Sequence, residues 1–273
     1  MPAIGIPAPS DLRRFALAPP RAEMALRAAT APGIRELVPV FMPPAEEADL
    51  DVVVVAIPAL NEAVSIAAVV ADVLAAGYQP LVVDDGSTDE TMAVARRAGA
   101  VVVRHPITLG QGGALRTGIE WALAHGADIV VTMDADGQHT SADIPRLLEA
   151  LQREDADFAL GSRFLGETID MPRLRGLLLR AAIWFTRVET GLKVTDTHNG
   201  LRAMTRRGAM STRLQQNGMA HASEILGQVS ASGLHWVEVP VTIQYTEASL
   251  AKGQSGLDFV AILVDLLMGR LAR

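Results

Sequence analysis

The stretch ADIVVTMDADGQHT, residues 127–140, begins as an apolar segment and ends in two carboxylates separated by one alanine. Because side chains alternate along an extended segment, Asp134 and Asp136 are predicted to point to one side and Ala135 to the other. Such a pair can share one cation, and Mg²⁺ or Mn²⁺ prefers hard oxygen ligands. Asp136-Gly137 is also a favourable turn dipeptide. The pair alone therefore leaves a metal site and a simple turn open.

The bulk composition narrows the classes of function. Of the 273 residues, 49% are hydrophobic, which is enough for one large domain. With 24 basic and 31 acidic residues the net charge is −7, which argues against general nucleic-acid binding, where a basic surface supplies most of the affinity. The chain has no cysteine, which excludes disulfides and a cysteine nucleophile, and we expect a cytoplasmic protein. No apolar run is long enough to predict a membrane-spanning helix.

The pattern along the chain predicts three parts. Residues 1–50 are rich in proline and alanine and are expected to form an extension. Residues 51–245 alternate apolar strands with amphipathic helices, which predicts an α/β domain whose mainly parallel sheet is covered by helices on both faces. Residues 246–273 are expected to form a loop and a short apolar helix.

The predicted strands each end in a polar segment. The strands are DVVVVAIP, LVVDDGS, VVVRH, ADIVVTM and FALGSRF, with a further strand within HWVEVPVTIQY. A helix is predicted after the first strand, from Glu62 to about Ala76. Ligands bind outside the carboxyl ends of strands in such sheets. Four segments are therefore predicted to converge on one site: 58–62, 84–89, 134–139 and 161–163.

Five motifs occur in a specific order: IPALNE, VVDDGSTDE, MDADGQH, GSRF and THNGLRA. Their order over residues 51–245 resembles the family 2 glycosyltransferases, and most closely the polyprenyl-phosphate sugar transferases of the dolichyl-phosphate mannosyltransferase group. The resemblance implies the GT-A fold, a UDP- or GDP-sugar donor, Mg²⁺ or Mn²⁺, inversion at the anomeric carbon and a polyprenyl phosphate acceptor.

The resemblance also implies roles for individual residues on the donor side. The residues of the nucleotide pocket would be Pro58, Asn61 and Glu62, with Asp85 holding the base or ribose. A carboxylate suits that task because it accepts hydrogen bonds from a base N–H or a ribose hydroxyl. Asp134 and Asp136 would bind the metal with Gln138 assisting, whereas His139 is expected to be a turn or supporting residue.

The phosphates would be met by basic residues. The resemblance assigns Arg163 and Arg202 to the acceptor phosphate or the donor diphosphate, and the fork of donors on arginine suits that role. It also suggests that a loop carrying Lys252 closes over the donor phosphates.

The segment GQGGALRTG lies after the third predicted strand. It resembles a glycine-rich phosphate loop only loosely, because Leu115 stands where the third glycine of GxGxxG should be. We interpret it as a tight turn that packs a helix onto the sheet, in preference to a direct phosphate contact.

Basic residues are concentrated in the segment from Arg163 to Arg213. Arg173, Arg180 and Arg187 are seven residues apart, and a basic amphipathic helix here can lie on an anionic membrane surface. An ordinary solvated helix is an equal alternative. We therefore expect a protein that is peripheral on the inner face of the membrane or recruited by a small membrane subunit, with the membrane contact left open.

The acceptor determines whether a general base is needed. A hydroxyl acceptor needs one, whereas a phosphate monoester with a second pKa of about 6 is already largely anionic at neutral pH. Asp196 and Glu224 are the candidate bases, although each is also interpreted as an orienting residue. The leading prediction is transfer to a polyprenyl phosphate. The alternatives are a hydroxyl acceptor on a glycan or lipid, and a nucleotide-sugar-binding protein without turnover.

Overall fold

The computed structural model describes residues 52–169, 183, 187, 191–218 and 221–245. Within them a seven-stranded sheet has the order β3-β2-β1-β4-β6-β5-β7. The strands are β1 (Val53–Ala59), β2 (Gln79–Asp84), β3 (Val101–Arg104), β4 (Ile129–Thr132), β5 (Phe158–Ile169), β6 (Arg202–Thr205) and β7 (Trp236–Gln244). The helices are α1 (Ile66–Ala75), α2 (Thr91–Arg97), α3 (Gln111–Ala124), α4 (Ile144–Arg153), α5 (Arg206–Ser211) and α6 (His221–Ser232).

The sheet is mainly parallel, as predicted. Strand β6 runs antiparallel to both of its neighbours, β4 and β5, while the other four strand pairs are parallel. Because β6 is reversed between two strands of the same direction, its first residue lies at the edge of the sheet where β4 ends: Arg202 pairs with Thr132. The motif NGLRA is thereby brought beside the carboxylate pair.

The strands are continuous apolar runs because helices cover both faces of the sheet. Every residue of β1 and of β4 is buried. One core lies between the sheet and helices α1, α2 and α4, and a second lies between the sheet and helices α3, α5 and α6. Alternate residues of β1 enter the two cores, so Val55 packs on the first side and Val54 on the second.

Most predicted elements are present, with one boundary corrected. Helix α1 begins at Ile66 and not at Glu62, because residues 62–65 form a turn. In that turn the Glu62 carboxylate accepts a hydrogen bond from the Ser65 hydroxyl at 2.8 Å. Strand β6 and helices α5 and α6 were not predicted. The four residues of β6 include an arginine and a threonine and carry little apolar pattern.

Several predictions lie outside the described residues. They are the extension 1–50, the C-terminal loop and helix 246–273, Lys252, and the arginines at 173 and 180 of the basic segment. The proposed domain boundaries and the membrane contact therefore stay predictions. In the part of the chain that the structure describes, no helix has the length and apolar character needed to cross a membrane.

Candidate active site

The carboxylate pair lies just beyond the end of β4. Ala135 is buried in the core at 4% exposure, while Asp134 and Asp136 both keep partial exposure at the sheet edge. The segment is a turn and not an extended strand: the backbone N–H of Gln138 donates to Asp136 Oδ1 at 3.0 Å, and Gly137 has a φ of +75°. Asp136 is thus a turn residue that still presents a carboxylate to the cleft.

The two carboxylates differ electrostatically. Burial disfavours the charge on Asp134, but its hydrogen bond to His139 and the charges of His139 and Arg202 outweigh that cost and hold its pKa below the ordinary value. Burial and the negative charge of Asp134 raise the pKa of Asp136. A divalent cation between them would relieve this repulsion. The two carboxylates supply hard oxygen donors, which fit Mg²⁺ or Mn²⁺.

Three neighbours hold the Asp134 carboxylate in place. The Gln111 side-chain amide donates to Oδ1 at 3.0 Å, and His139 Nε2 lies 3.3 Å from Oδ2. The backbone of Gly200 packs closely against the same carboxylate, since a Cβ at this position would lie 2.1 Å from Oδ2. His139 is therefore a supporting residue in this structure, and Gly200 has a steric reason to be glycine.

Gly200→Ala is expected to weaken catalysis about 10- to 100-fold, because the new methyl group must displace the Asp134 carboxylate and small misplacements of metal ligands are costly. Initial rates as a function of Mn²⁺ concentration measure the effect. Gly227→Ala is the matched control, since nothing lies within 4 Å of a Cβ in that helix. Equal rates for the two variants would contradict the assignment.

The loops after β1 and β2 are joined by hydrogen bonds. Asn61, with a φ of +55°, donates from its backbone N–H to Ser87 Oγ and accepts from Thr88 N–H at its side-chain oxygen, each at 2.9 Å. Glu62 N–H donates to Thr91 Oγ1 at 2.8 Å. Asn61 and Glu62 thus lie at the predicted edge of the sheet.

Pro58 is buried near the end of β1, opposite Val83 in β2. Its contact with the nucleotide stays a prediction.

Asp85 is 2% exposed and joins β2 to the segment before α3. Its Oδ1 accepts from Leu109 N–H at 2.9 Å and lies 2.7 Å from His105 Nδ1, and its Oδ2 accepts from Gly110 N–H at 2.7 Å. His105 Nε2 continues this chain to Thr117 Oγ1 at 2.9 Å. Asp85 therefore links the end of β2 to the segment before α3 by hydrogen bonds, and its contact with a base or ribose stays a prediction.

The glycine-rich segment is a packed turn, as interpreted from the sequence. Gly110 has a φ of +96°, and a Cβ at Gly112 would lie 2.0 Å from the carbonyl oxygen of Gln216. Further along α3, a Cβ at Gly118 would lie 3.0 Å from that of Ala56 in β1. These glycines allow the backbone to approach its neighbours closely.

Arg163 is at the centre of a buried network. Its backbone N–H and its Nε donate to Asp196 Oδ2 at 3.1 and 2.6 Å, and its two terminal nitrogens donate to Tyr245 Oη at 2.9 Å and to the His198 carbonyl at 2.7 Å. Arg163 and Asp196 are each at most 6% exposed. We therefore assign both residues to holding the loop before β6.

Arg163→Met is expected to lower the free energy of unfolding by about 3–5 kcal/mol, because it leaves Asp196 as a buried charge without its cation. Urea unfolding measures the change. Adding Asp196→Asn should recover part of the loss, since the uncompensated charge is then removed. A loss below about 1 kcal/mol in the single variant would show that the network is not a structural hub.

Arg202 differs from Arg163 in its side-chain contacts. It is 4% exposed, and its guanidinium makes no hydrogen bond or ion pair with the residues that the structure describes. Burial lowers its pKa, although the nearby charges of Asp134 and Asp196 oppose that effect. A cation held in this way is ready for an anionic ligand.

Two histidines beside Arg202 were missed by the sequence analysis. Burial lowers the pKa of His198 to about 4 and also lowers that of His221, and the charge of Arg202 contributes to both shifts. His221 Nδ1 lies 2.9 Å from the Gly218 carbonyl, so Nδ1 carries the proton and Nε2 is an acceptor. His198 lies within THNGLRA and could have been found, but nothing in the sequence distinguishes His221.

Glu224 is held by the loop before α6. Its carboxylate accepts from the backbone N–H groups of Gln215 and Gln216 at 2.9 Å and from the Gln228 side chain at 3.2 Å. These bonds make Glu224 an orienting residue. With Asp196 engaged by Arg163, neither candidate base is free.

Comparison with known structures defines the fold as GT-A. Glucosyl-3-phosphoglycerate synthase from Mycobacterium tuberculosis, in complex with Mn²⁺ and UDP-glucose, superposes with a TM-score of 0.60. The two chains are 23% identical, and the match covers 81% of this chain and 78% of that one. The fold predicted from the sequence is confirmed.

Residues 54–210 match the model of glycosyl transferase family 2, and the chain belongs to that family. It is similar to MJ1222, an uncharacterized protein of Methanocaldococcus jannaschii (34% identity, 82% of this chain and 95% of that one). It is also similar to UDP-N-acetylglucosamine–dolichyl-phosphate N-acetylglucosaminyltransferase of Methanococcus voltae (30%, 80% and 95%) and to undecaprenyl-phosphate mannosyltransferase of Micrococcus luteus (34%, 71% and 83%). The predicted family, its polyprenyl-phosphate group and the glycosyltransferase activity are confirmed.

Proposed function

We propose that this glycosyltransferase moves a sugar from a nucleoside diphosphate sugar to a polyprenyl phosphate, with Mg²⁺ or Mn²⁺ held by Asp134 and Asp136. The observation that carries the proposal is the ionised Asp134 beside Asp136 and a buried arginine, Arg202, which has no hydrogen-bond or ion-pair partner in the part of the chain that the structure describes. Gln138 can assist at the metal, since its side chain makes no hydrogen bond with the described residues.

The donor site combines positive charge with these carboxylates. When bound, a divalent cation would neutralise the leaving nucleoside diphosphate. Arg202 would donate to phosphate oxygens from the side of β6, and Asn61 and Glu62 would border the nucleotide at the ends of β1 and β2. The charge that develops on the diphosphate as the glycosidic bond breaks is thus met by groups already in place.

The acceptor assignment rests on the engaged carboxylates. Asp196 bonds to Arg163, and Glu224 bonds to two backbone amides, so both carboxylates already serve structural contacts, which favours an acceptor that needs no base. A phosphate monoester needs no such base because it is already anionic. Two relatives are named for dolichyl phosphate and undecaprenyl phosphate, which supports the same class of acceptor. Its oxygen would attack the anomeric carbon from the face opposite the leaving group.

A lipid-extraction assay tests the proposal. The purified protein is incubated with Mn²⁺, undecaprenyl phosphate in detergent and a panel of radiolabelled UDP- and GDP-sugars, and label is counted in the organic phase. Label that disappears with a chelator supports the proposal and identifies the donor. If nucleotide binds with metal but no lipid is labelled, the acceptor assignment is overturned. A hydroxyl acceptor or a binding protein without turnover would then be tested by offering glycan acceptors.

A further inference from the structure

The segment GQGG, residues 110–113, presents a single side chain between three glycines. That side chain, Gln111, is the first residue of α3, and its amide donates to Asp134 Oδ1 at 3.0 Å. The other oxygen of Asp134 faces His139 Nε2 at 3.3 Å. Both carboxylate oxygens are therefore engaged, Oδ1 by a side chain at the start of α3 and Oδ2 by a residue of the loop that follows β4.

The backbone around Gln111 is fixed on both sides. Before it, the N–H groups of Leu109 and Gly110 donate to the buried Asp85 carboxylate. After it, Gly112 N–H donates to the Asn217 carbonyl at 2.8 Å. With three main-chain hydrogen bonds in four residues, the position from which Gln111 reaches Asp134 is set by the surrounding fold.

The glycines explain how the backbone comes so close. A Cβ at Gly110 would lie 2.3 Å from the Asn217 carbonyl oxygen, and one at Gly112 would lie 2.0 Å from that of Gln216. A Cβ at Gly113 would lie 2.8 Å from the side chain of Leu109. Larger residues at these positions would push the start of α3 away, and Gln111 would lose its contact with Asp134.

We propose that Gln111 is a positioning residue for the metal site. Its N–H fixes the rotation of the Asp134 carboxylate, and that carboxylate would hold the cation together with Asp136. Groups that orient a metal ligand without touching the metal commonly change metal affinity 10- to 100-fold when removed. The inference rests on the proposed metal site, and it gives the glycine-rich turn a function beyond packing.

The test measures Mn²⁺ binding directly. The protein is titrated with Mn²⁺ in the presence of UDP, and in parallel in the presence of GDP. The concentration of free Mn²⁺ is measured by electron paramagnetic resonance. Gln111→Met keeps the length of the side chain but cannot donate, and Gln111→Asn keeps the amide but is too short to reach. Both variants are expected to bind Mn²⁺ about 10- to 100-fold more weakly than the wild type.

Two controls separate positioning from general stability. Gln152→Met makes the same change on the exposed face of α4 and should leave Mn²⁺ binding unchanged. Metal-free nucleotide binding and the melting temperature of the Gln111 variants should stay close to wild type. If the hydrogen bond were merely structural, its loss would instead lower the melting temperature without changing the dissociation constant for Mn²⁺. Mn²⁺ affinity within twofold of wild type in both Gln111 variants would overturn the inference.

Asp136→Asn distinguishes this inference from the function on which it rests. If Asp136→Asn weakens Mn²⁺ binding and the Gln111 variants do not, only the positioning role fails. If the wild type and Asp136→Asn bind Mn²⁺ equally, the metal site and the positioning role fail together.

Discussion

Asp136→Asn is expected to lower kcat/KM for sugar transfer by at least about 10³-fold, which corresponds to the several kcal/mol that a metal supplies to a leaving diphosphate. Asparagine keeps the size of the residue and the oxygen that accepts from Gln138 N–H, so the turn is retained. It removes one of the two charges that would hold the cation. Initial rates at saturating Mn²⁺ measure the effect.

The stability of Asp136→Asn separates a catalytic loss from misfolding. Burial and the charge of Asp134 raise the pKa of Asp136, which means that the folded protein disfavours its ionised form. Removing that charge should therefore leave the melting temperature equal or higher. Asp155→Asn is the matched control, because Asp155 is exposed with a φ of +47° and asparagine also adopts this conformation. Rates for Asp136→Asn within about tenfold of the control would contradict metal binding by Asp136.

Arg202→Met is expected to lower kcat/KM by at least about 10²-fold while leaving the protein as stable as the wild type or more so. The guanidinium is buried and has no hydrogen-bond or ion-pair partner among the described residues, so its removal orphans no acceptor there and ends the cost of burying a charge. If it contacts phosphate, its loss removes donors that act on the developing charge. Steady-state rates and thermal unfolding of the same preparation measure both effects.

Two further variants test what Arg202 contributes. Arg202→Lys keeps the positive charge without the planar fork of donors and should recover only part of the activity. Arg97→Met makes the same substitution at an exposed position in the last turn of α2 and should change neither rate nor stability. A large loss of stability in Arg202→Met, with a matching loss of folded protein, would instead give Arg202 a structural role.

The two motif arginines show what sequence motifs leave undecided. GSRF and NGLRA assign Arg163 and Arg202 the same kind of role, and both are buried. Their hydrogen bonds distinguish them: Arg163 donates to Asp196, Tyr245 and the loop before β6, whereas Arg202 makes no side-chain hydrogen bond with any described residue. Residues such as Tyr245 are far from Arg163 in the sequence, so only the folded chain shows which arginine is already engaged.

The apolar strands and the tight turn of the glycine-rich segment were predictable because both depend on local sequence pattern. Continuous valine and isoleucine runs such as 129–132 require burial on both faces, and that requirement already implies a helix-covered parallel sheet. Strand β6 was not predictable, since four residues with an arginine at their start gain their strand conformation from pairing with β4 and β5. The start of α1 was wrong by four residues because the turn at 62–65 is held by side-chain bonds that propensity does not report.

The sequence by itself determined the α/β class, the family and the position of the carboxylate pair, because these depend on hydrophobic period and on motifs that are contiguous in the chain. Only the tertiary structure decided which polar residues are engaged internally and which face the cleft. The reversed strand β6 brings Gly200 against Asp134, and the packed glycines of α3 bring Gln111 to the same carboxylate. Contacts between residues 23 and 66 positions apart depend on chain topology and close packing, which no local pattern encodes.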